Sequence, residues 1–161
     1  MKWMLSLLPI YFGLSPSRLE AECPPTDPPP NIVVEASIST AGPYGEFWEV
    51  SIDPEGELHL VVLYMTDPLG HFCGEFHVGK ARLEELQHKV NSSSYFDLPE
   101  QIEPTEVPFH APDLRLMVKH NGQEKSVALY NPDAVLEGPQ KTRFMEIWNA
   151  VFAMLPVKPK W

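Results

Sequence analysis

The stretch "EFWEVSIDPEGELHLVVLYM", residues 46–65, decides the fold. Two runs rich in β-branched and aromatic residues flank "DPEG", in which Pro54 suits the second position of a type I turn and Gly56 a left-handed residue followed by a bulge. If Asp53 opposes Glu57, the pairs on one face of the hairpin are all apolar: Ile52 with Leu58, Val50 with Leu60, and Trp48 with Val62. The hairpin therefore predicts a core face.

A second hairpin is predicted in "DLRLMVKHNGQEKSVALY", residues 113–130. Asn121-Gly122 favours a type I′ turn, because both residues tolerate positive φ. This turn sets three cross-strand pairs: Leu116 with Val127, Leu114 with Leu129, and Lys119 with Glu124. Two of the three pairs are apolar and lie on one face, so this hairpin also specifies a core face.

Two further strands and two helices complete the domain. The strands are expected in "IVVEASIST" (32–40) and "GHFCGEFHVG" (70–79). Apolar residues at helical spacing predict amphipathic helices over 80–93 and 142–155. Their apolar stripes are Leu83, Leu86 and Val90 in the first helix, and Phe144, Ile147, Trp148, Val151, Phe152 and Leu155 in the second. The order ββββαββα favours an α+β fold, with an antiparallel sheet of about six strands and both helices on one face.

The N-terminal residues predict export. Lys2 precedes the apolar run "WMLSLLPIYFGL" (3–14), which is shorter than the roughly 20 residues of a membrane-spanning helix. We therefore predict a signal peptide over 1–21, a proline-rich tether over 22–31, one α+β domain over 32–156 and a tail over 157–161. The expected location is periplasmic or secreted. The residues before Cys23 do not match a bacterial lipobox, which argues against a lipid anchor there, and no stable transmembrane helix is expected in the mature form.

The charge of the chain excludes one class of partner. The 161 residues carry a formal net charge of -10, or about -11 once the leader is removed. Such a balance repels phosphate backbones and anionic membrane surfaces, so nucleic acid is not an expected partner. There is no nucleophile elbow, P-loop or dinucleotide-binding glycine pattern, and no cofactor is expected.

The segment "GHFCGEFHVG" puts four polar residues on one face of a strand: His71, Cys73, Glu75 and His77. Neighbours on one face lie about 6.6 to 7 Å apart, so one metal ion cannot bind His71 and His77 together. A metal would need help from His59 or His110, and no zinc-binding spacing is present. The favoured interpretation is a polar strand face, and the alternative is a metal- or thiol-dependent activity centred on His71, Cys73 and His77. In an oxidising compartment, a disulfide between Cys23 and Cys73 is the simplest expectation.

Two features predict binding instead of catalysis. The outer side of the first hairpin carries four apolar residues, Phe47, Val61, Leu63 and Met65, which is more apolar surface than a solvated sheet face usually shows. The second feature is the acidic loop "DLPEQIEPTEVPFHAPD" (97–113), where Glu100, Glu103 and Glu106 lie among four prolines. The sequence therefore favours a non-catalytic exported domain that binds a protein or cell-envelope component. The competing explanation is that the proline-rich segment or a neighbouring strand of the same chain covers the apolar face.

The chain resembles a group of small exported bacterial domains of uncharacterised function. The resemblance covers about residues 35–155 and rests on the succession "FWEVSIDPEGELHL", "GEFHVGKARLEELQHKVNSSSYFDLP" and "DLRLMVKHNGQEKSVALY". In that group a helix follows a strand with a Gly-centred turn, and an aromatic element and an aspartate precede the next strand. Tyr95, Phe96, Leu98 and Asp113 match these positions. Members often carry a cysteine pair near the first strand, where "TAGPYG" stands here. The resemblance implies the fold and carries over no catalytic residues.

Overall fold

The computed structural model describes residues 34–40, 45–64, 71–104 and 112–157. Seven strands and two helices lie in this part of the chain, and a short 3-10 turn, Tyr95–Asp97, follows the first helix. In chain order they are β1 Val34–Ser39, β2 Glu46–Ile52, β3 Glu57–Tyr64, β4 His71–His77, α1 Lys80–Ser92, β5 Gln101–Ile102, β6 Asp113–His120, β7 Gln123–Tyr130 and α2 Pro139–Ala153. The strands form one sheet in the order β4-β3-β2-β1-β6-β7-β5.

The α+β class and the two helices are confirmed, but the sheet differs from the prediction in two respects. It has seven strands instead of about six, and it is mixed, because β5 pairs parallel with β7. The extra strand lies inside the predicted acidic loop, where Ile102 is buried and the Ala128 N–H donates to the Glu100 carbonyl at 2.8 Å. A strand of two residues between prolines is too short for alternation to reveal it.

Both predicted hairpin registers are confirmed. Val50 opposes Leu60 in the first hairpin, and Leu116 opposes Val127 in the second. Asn121 and Gly122 both have positive φ, of 52° and 76°, as a type I′ turn requires. Gly56 has φ +86°, and its carbonyl accepts a hydrogen bond from the Val78 N–H at 2.7 Å. The turn between β2 and β3 thus also contacts the residue that follows β4.

The core lies between one face of the sheet and the two helices. The buried strand residues on that face are Val34, Ala36, Ile38, Trp48, Val50, Ile52, Leu58, Leu60, Val62, Leu114, Leu116, Val118, Val127 and Leu129, and the apolar stripes of α1 and α2 pack against them. The helices begin and end close to the predicted limits, except that α2 starts at Pro139 instead of residue 142. Proline fits the first turn of a helix because the N–H it lacks has no intrahelical partner there. No helix in the four described ranges is long and apolar enough to cross a membrane.

Strand β4 is less buried than its alternation predicts. Phe72, Gly74 and Phe76 face the helix side of the sheet, but Phe76 is only half-buried and Phe72 is 41% exposed. A Cβ on Gly74 would lie 2.6 Å from Phe76 Cε2 and 3.0 Å from Phe72 Cε1, so both rings close over this glycine. Alternation along β4 predicts that Phe76 lies in the core, but its ring is only partly buried against the core, because β4 is an edge strand.

Several predicted segments lie outside the described residues. These are the signal peptide over 1–21, the proline-rich tether over 22–31, the first two residues of the predicted domain and the tail from residue 158. Within the described part, the domain begins at Val34 and its last described residue is the exposed Val157.

Candidate functional site

The polar residues of β4 lie on the outer face of the sheet, opposite the helices. His71 opposes Leu63, Cys73 opposes Val61, and His77 opposes Glu57. The partners on β3 alternate with the buried Leu58, Leu60 and Val62, which places them away from the core. The strand therefore presents His71, Cys73, Glu75 and His77 together on one face, in the arrangement that the sequence predicts.

The histidines of this region contact carboxylates across the strands. His77 Nδ1 lies 2.9 Å from Glu57 Oε1, and His59 Nδ1 lies 3.6 Å from Glu75 Oε1. His71 and His77 are six residues apart along one strand, roughly 20 Å. Among the described residues, no three His, Cys, Asp or Glu side chains come together as metal ligands, and His110 lies outside that part of the chain. Two cross-strand polar pairs, His77 with Glu57 and His59 with Glu75, therefore lie on this face, whereas Cys73 and His71 oppose apolar residues.

Cys73 lies between His71 and Glu75 on the outer face of β4, and it is not a free cysteine in the described part of the chain. Its predicted partner, Cys23, lies outside the described residues. Thiol chemistry requires a thiolate. The structure therefore gives no support to a nucleophilic role for Cys73, and the Cys23–Cys73 pairing stays a prediction.

Three of the five exposed large hydrophobic residues in the described part of the chain lie at one corner of the sheet. Leu63 is 43% exposed, Tyr64 is 40% exposed and Phe72 is 41% exposed. Leu63 lies on the outer face opposite Phe47, which is half-buried, whereas Tyr64 and Phe72 face the other side. We call Phe47, Leu63, Tyr64 and Phe72 the apolar corner. It lies where β3 ends and β4 begins, and its exposed residues flank both faces of the sheet.

The sequence predicts only part of this corner. Phe47, Val61 and Leu63 lie on the outer face, Val61 is half-buried, and Met65 lies outside the described residues. Tyr64 and Phe72 were missed, since alternation places them on the core face. They stay exposed because α1 follows the opposite end of β4, beginning at Lys80 after Val78 and Gly79. Alternation identifies the face of a residue, but not how far along a strand the helices cover it.

The centre of the outer face carries uncompensated negative charge. A shallow hollow of about 220 Å³ is lined by Glu35 and Glu49 together with Phe47, Met117 and Arg115. Burial raises the pKa of Glu35 above its usual range, and the nearby Glu49 and Glu124 carboxylates raise it further. Arg115 is already paired with Asp113 at 2.9 Å, and Glu35 has no ion-pair partner among the described residues. The repulsion of Glu35 by Glu49 and Glu124 is therefore not relieved by an ion pair of Glu35 within the described part of the sheet.

The acidic segment is separated from the apolar corner by most of the width of the sheet. Glu100 and Glu103 are exposed on either side of β5, whereas the corner belongs to β2, β3 and β4 toward the other edge. Four to six strand spacings of about 4.8 Å correspond to roughly 19 to 29 Å. Glu106 lies outside the described residues. The two predicted binding features are therefore not brought together into one surface by the described chain.

No family model and no curated protein matches the chain. The resemblance to small exported bacterial domains therefore stays a prediction.

Proposed function

We propose that this chain is an exported, non-catalytic domain that binds a protein or cell-envelope component, and that the apolar corner makes the contact. The observation that carries the proposal is the distribution of exposed apolar side chains. The described residues hold five large hydrophobic residues that are exposed, and three of them, Leu63, Tyr64 and Phe72, lie in this corner. Single exposed apolar residues are common on soluble proteins, whereas several at one end of two adjacent strands, with Leu63 on one face and Tyr64 and Phe72 on the other, favour an interaction site.

The chemistry of the surrounding surface supports binding of an apolar segment. Phe47 continues the corner toward the centre of the outer face, where it lines the hollow that also contains Glu35 and Glu49. A partner with an apolar side chain next to a lysine or arginine would bury the corner and relieve the repulsion between these carboxylates. The acidic segment around Glu100 and Glu103 is a separate region that only an extended partner would reach.

Export is the second part of the proposal. The predicted leader over 1–21, an acidic chain and a Cys23–Cys73 disulfide together favour a periplasmic or secreted protein. That Cys73 is not free supports this location, because oxidised cysteines persist outside the reducing cytosol.

Site-specific photo-crosslinking in the native host tests the function. A photoreactive amino acid at Leu63 or at Phe72 should form a discrete adduct with one partner. The control position is Leu136, which is 73% exposed but lies outside the corner, in the segment between β7 and α2. We expect no such adduct from Leu136. Adding Tyr64→Ser should weaken the adduct formed from Phe72, because Tyr64 belongs to the same surface.

Three results would contradict the proposed function. The first is equal, diffuse labelling from Leu63, Phe72 and Leu136, which would mean that the corner is ordinary surface. The second is the absence of any adduct at the corner. The third is an adduct only with a second copy of this chain, identified by its mass, which would make the corner a self-association surface.

A further inference from the structure

We propose that two copies of this chain pair edge to edge through β4, around a two-fold axis at Gly74. The strand His71–His77 lies antiparallel to the same strand of the second copy, so that the two sheets become one. This inference goes beyond the proposed function, because it concerns the backbone edge of the sheet and a second copy of the chain. The observations that support it are the strand order, the direction of the backbone groups and the sequence of β4.

The two edges of the sheet differ in how they are protected against pairing. The strand order puts β4 at one edge and β5 at the other. β5 has only two residues and lies between Pro99 and Pro104, and short strands and prolines are common ways of protecting an edge. β4 has seven residues without proline or lysine, and among the described strands it pairs only with β3. It therefore presents a long edge that a further strand can extend.

The backbone of β4 shows which residues face this edge. The Val78 N–H donates to the Gly56 carbonyl at 2.7 Å, in register with the pairing of β3 and β4, so Val78 directs its backbone groups toward β3. In an antiparallel pair this direction alternates from one residue to the next. Phe72, Gly74 and Phe76 therefore bond to β3. The backbone N–H and C=O groups of the other four residues point away from β3: His71, Cys73, Glu75 and His77.

The sequence of β4 is self-complementary about its central residue. Starting from Gly74, the residues two and three positions away are Phe and then His in both directions. An antiparallel copy centred on Gly74 therefore puts Phe72 opposite Phe76 of the second copy, and His71 opposite His77. This register also fits the backbone, because His71 and His77 both direct their N–H and C=O groups toward the edge. A two-fold interface requires such reciprocal contacts.

The aromatic rings of β4 supply the apolar part of the interface. Phe72 is 41% exposed and Phe76 is half-buried, and both lie on the helix side of the sheet over Gly74. Next to Phe76 is a hollow of about 390 Å³, which Val78, Met154 and the first turn of α1 also line. In the pair, the exposed Phe72 ring of the second copy lies beside Phe76, at this hollow. Aromatic pairs across two strands stabilise a sheet.

The pair leaves the outer-face part of the apolar corner open. Leu63 lies one strand inside the edge and Phe47 lies two strands inside it, both on the outer face. Phe72 contributes to the pair from the helix side. Both proposals hold if Leu63 crosslinks to a different protein and Phe72 also crosslinks to a second copy. A failure of either proposal is therefore seen separately.

Sedimentation of the exported protein over a range of concentrations tests the pairing. We expect the wild type to shift from monomer to dimer as its concentration rises. Glu75→Pro should weaken the dimer at least about tenfold, because it removes an N–H that faces the edge and keeps the bonds from β4 to β3. The matched control Glu75→Ala keeps this N–H and should dimerise like the wild type. Circular dichroism checks that Glu75→Pro is folded.

A second variant tests the same interface through a side chain. Phe72→Ser should also weaken the dimer, whereas Leu136→Ser, at a more exposed residue between β7 and α2, should not. A wild type that stays monomeric at every concentration would overturn the proposal. So would a dimer that neither Glu75→Pro nor Phe72→Ser weakens, or a dimer that persists in denaturant until it is reduced, which would be an intermolecular disulfide.

Photo-crosslinking tests the register. A photoreactive amino acid in place of His71 should attach near His77 of the second copy. Within one chain these two positions are roughly 20 Å apart, so the adduct forms only between copies. After reduction, an endoproteinase that cleaves after glutamate releases fragments 58–75 and 76–84, and we expect these two fragments to be joined. An adduct between two copies of fragment 58–75 would exclude the antiparallel register and overturn the proposal.

Discussion

At the scale of single residues, two glycines share a positive φ but differ in steric crowding. Gly56 and Gly122 both have positive φ, of +86° and +76°. A Cβ on Gly56 would lie 2.6 Å from the carbonyl oxygen of Val78, whereas a Cβ on Gly122 would meet nothing within 4 Å. The two positions share a conformational requirement, and only one of them has a close neighbour.

This difference gives the first prediction. Gly122→Ala should lower the free energy of unfolding by about 1 kcal/mol, the cost of a left-handed alanine. Gly56→Ala should lower it by roughly 2 to 4 kcal/mol, because the clash with the Val78 carbonyl adds to that cost. Urea unfolding followed by circular dichroism measures both. Equal losses would show that the turn moves away from Val78 without penalty.

Phenylalanines at the edge and in the core give the second prediction. Phe144→Ala should cost about 3 to 5 kcal/mol, because its ring is fully buried. Phe76→Ala should cost only about 1 to 2 kcal/mol, since a half-buried ring loses less transfer free energy. His71→Ala and His77→Ala should change stability by less than about 0.5 kcal/mol, as exposed substitutions usually do. A Phe76→Ala loss as large as that of Phe144→Ala would place β4 in the core after all.

Tyr95 gives the third prediction. It is fully buried, and its hydroxyl donates to the Leu116 carbonyl in the middle of β6. Burial raises the pKa of this hydroxyl far above its ordinary value of 10.0. The folded state therefore holds the proton more tightly than the unfolded state, so this stabilisation is complete below pH 10 and is lost as the pH rises above it.

The measurement is unfolding free energy against pH. Between pH 10 and pH 11.5 the wild type should lose stability more steeply than Tyr95→Phe, by up to about 1.4 kcal/mol per pH unit. At pH 7 the variant should be less stable by about 1 to 2 kcal/mol, because the Leu116 carbonyl loses its partner. Parallel pH curves would show that Tyr95 is not the group responsible.

At the scale of elements, the sequence predicts the registers of the hairpins better than it predicts which strand residues the helices bury. The DPEG and Asn121-Gly122 turns fix the registers of both hairpins, because turn geometry and alternation agree there. Strand β5 is not predicted, since it depends on a parallel partner that only the folded sheet provides. The exposure of Phe72 and Tyr64 is not predicted for a similar reason, since it too depends on the folded structure. Alternation is local, whereas burial depends on where α1 and α2 lie.

At the scale of the whole molecule, the fold is largely predictable and the candidate site is not. The outer-face position of Phe47 and Leu63 follows from one hairpin, so alternation finds them. The separation of the corner from Glu100 and Glu103 depends on the strand order β4-β3-β2-β1-β6-β7-β5, in which distant segments become neighbours. No local pattern encodes that order.

The fourth prediction concerns the mature chain. Expression with residues 1–21 intact should give an exported product shortened at its N-terminus, because Lys2 and the apolar run predict a signal peptide. Intact-mass measurement of the protein from its native host checks this. An unprocessed Met1 on protein recovered from the cytoplasm would contradict export. A mass increase that matches a diacylglyceryl group on Cys23 would instead identify a lipoprotein, and it would also exclude the predicted Cys23–Cys73 disulfide.

The central pairing of β1 with β6 has a kinetic consequence. Each strand of the meander β1–β4 pairs with the next strand along the chain, and β6 pairs with β7 in the same local way. Among the described strands, the pairing of β1 with β6, which includes Ala36 opposite Leu116, joins these two parts of the sheet. Loops that close over a long stretch of chain cost more entropy than tight turns, so the junction should form last. Truncating Leu116 should then mainly accelerate unfolding, whereas truncating Leu60 should mainly slow refolding.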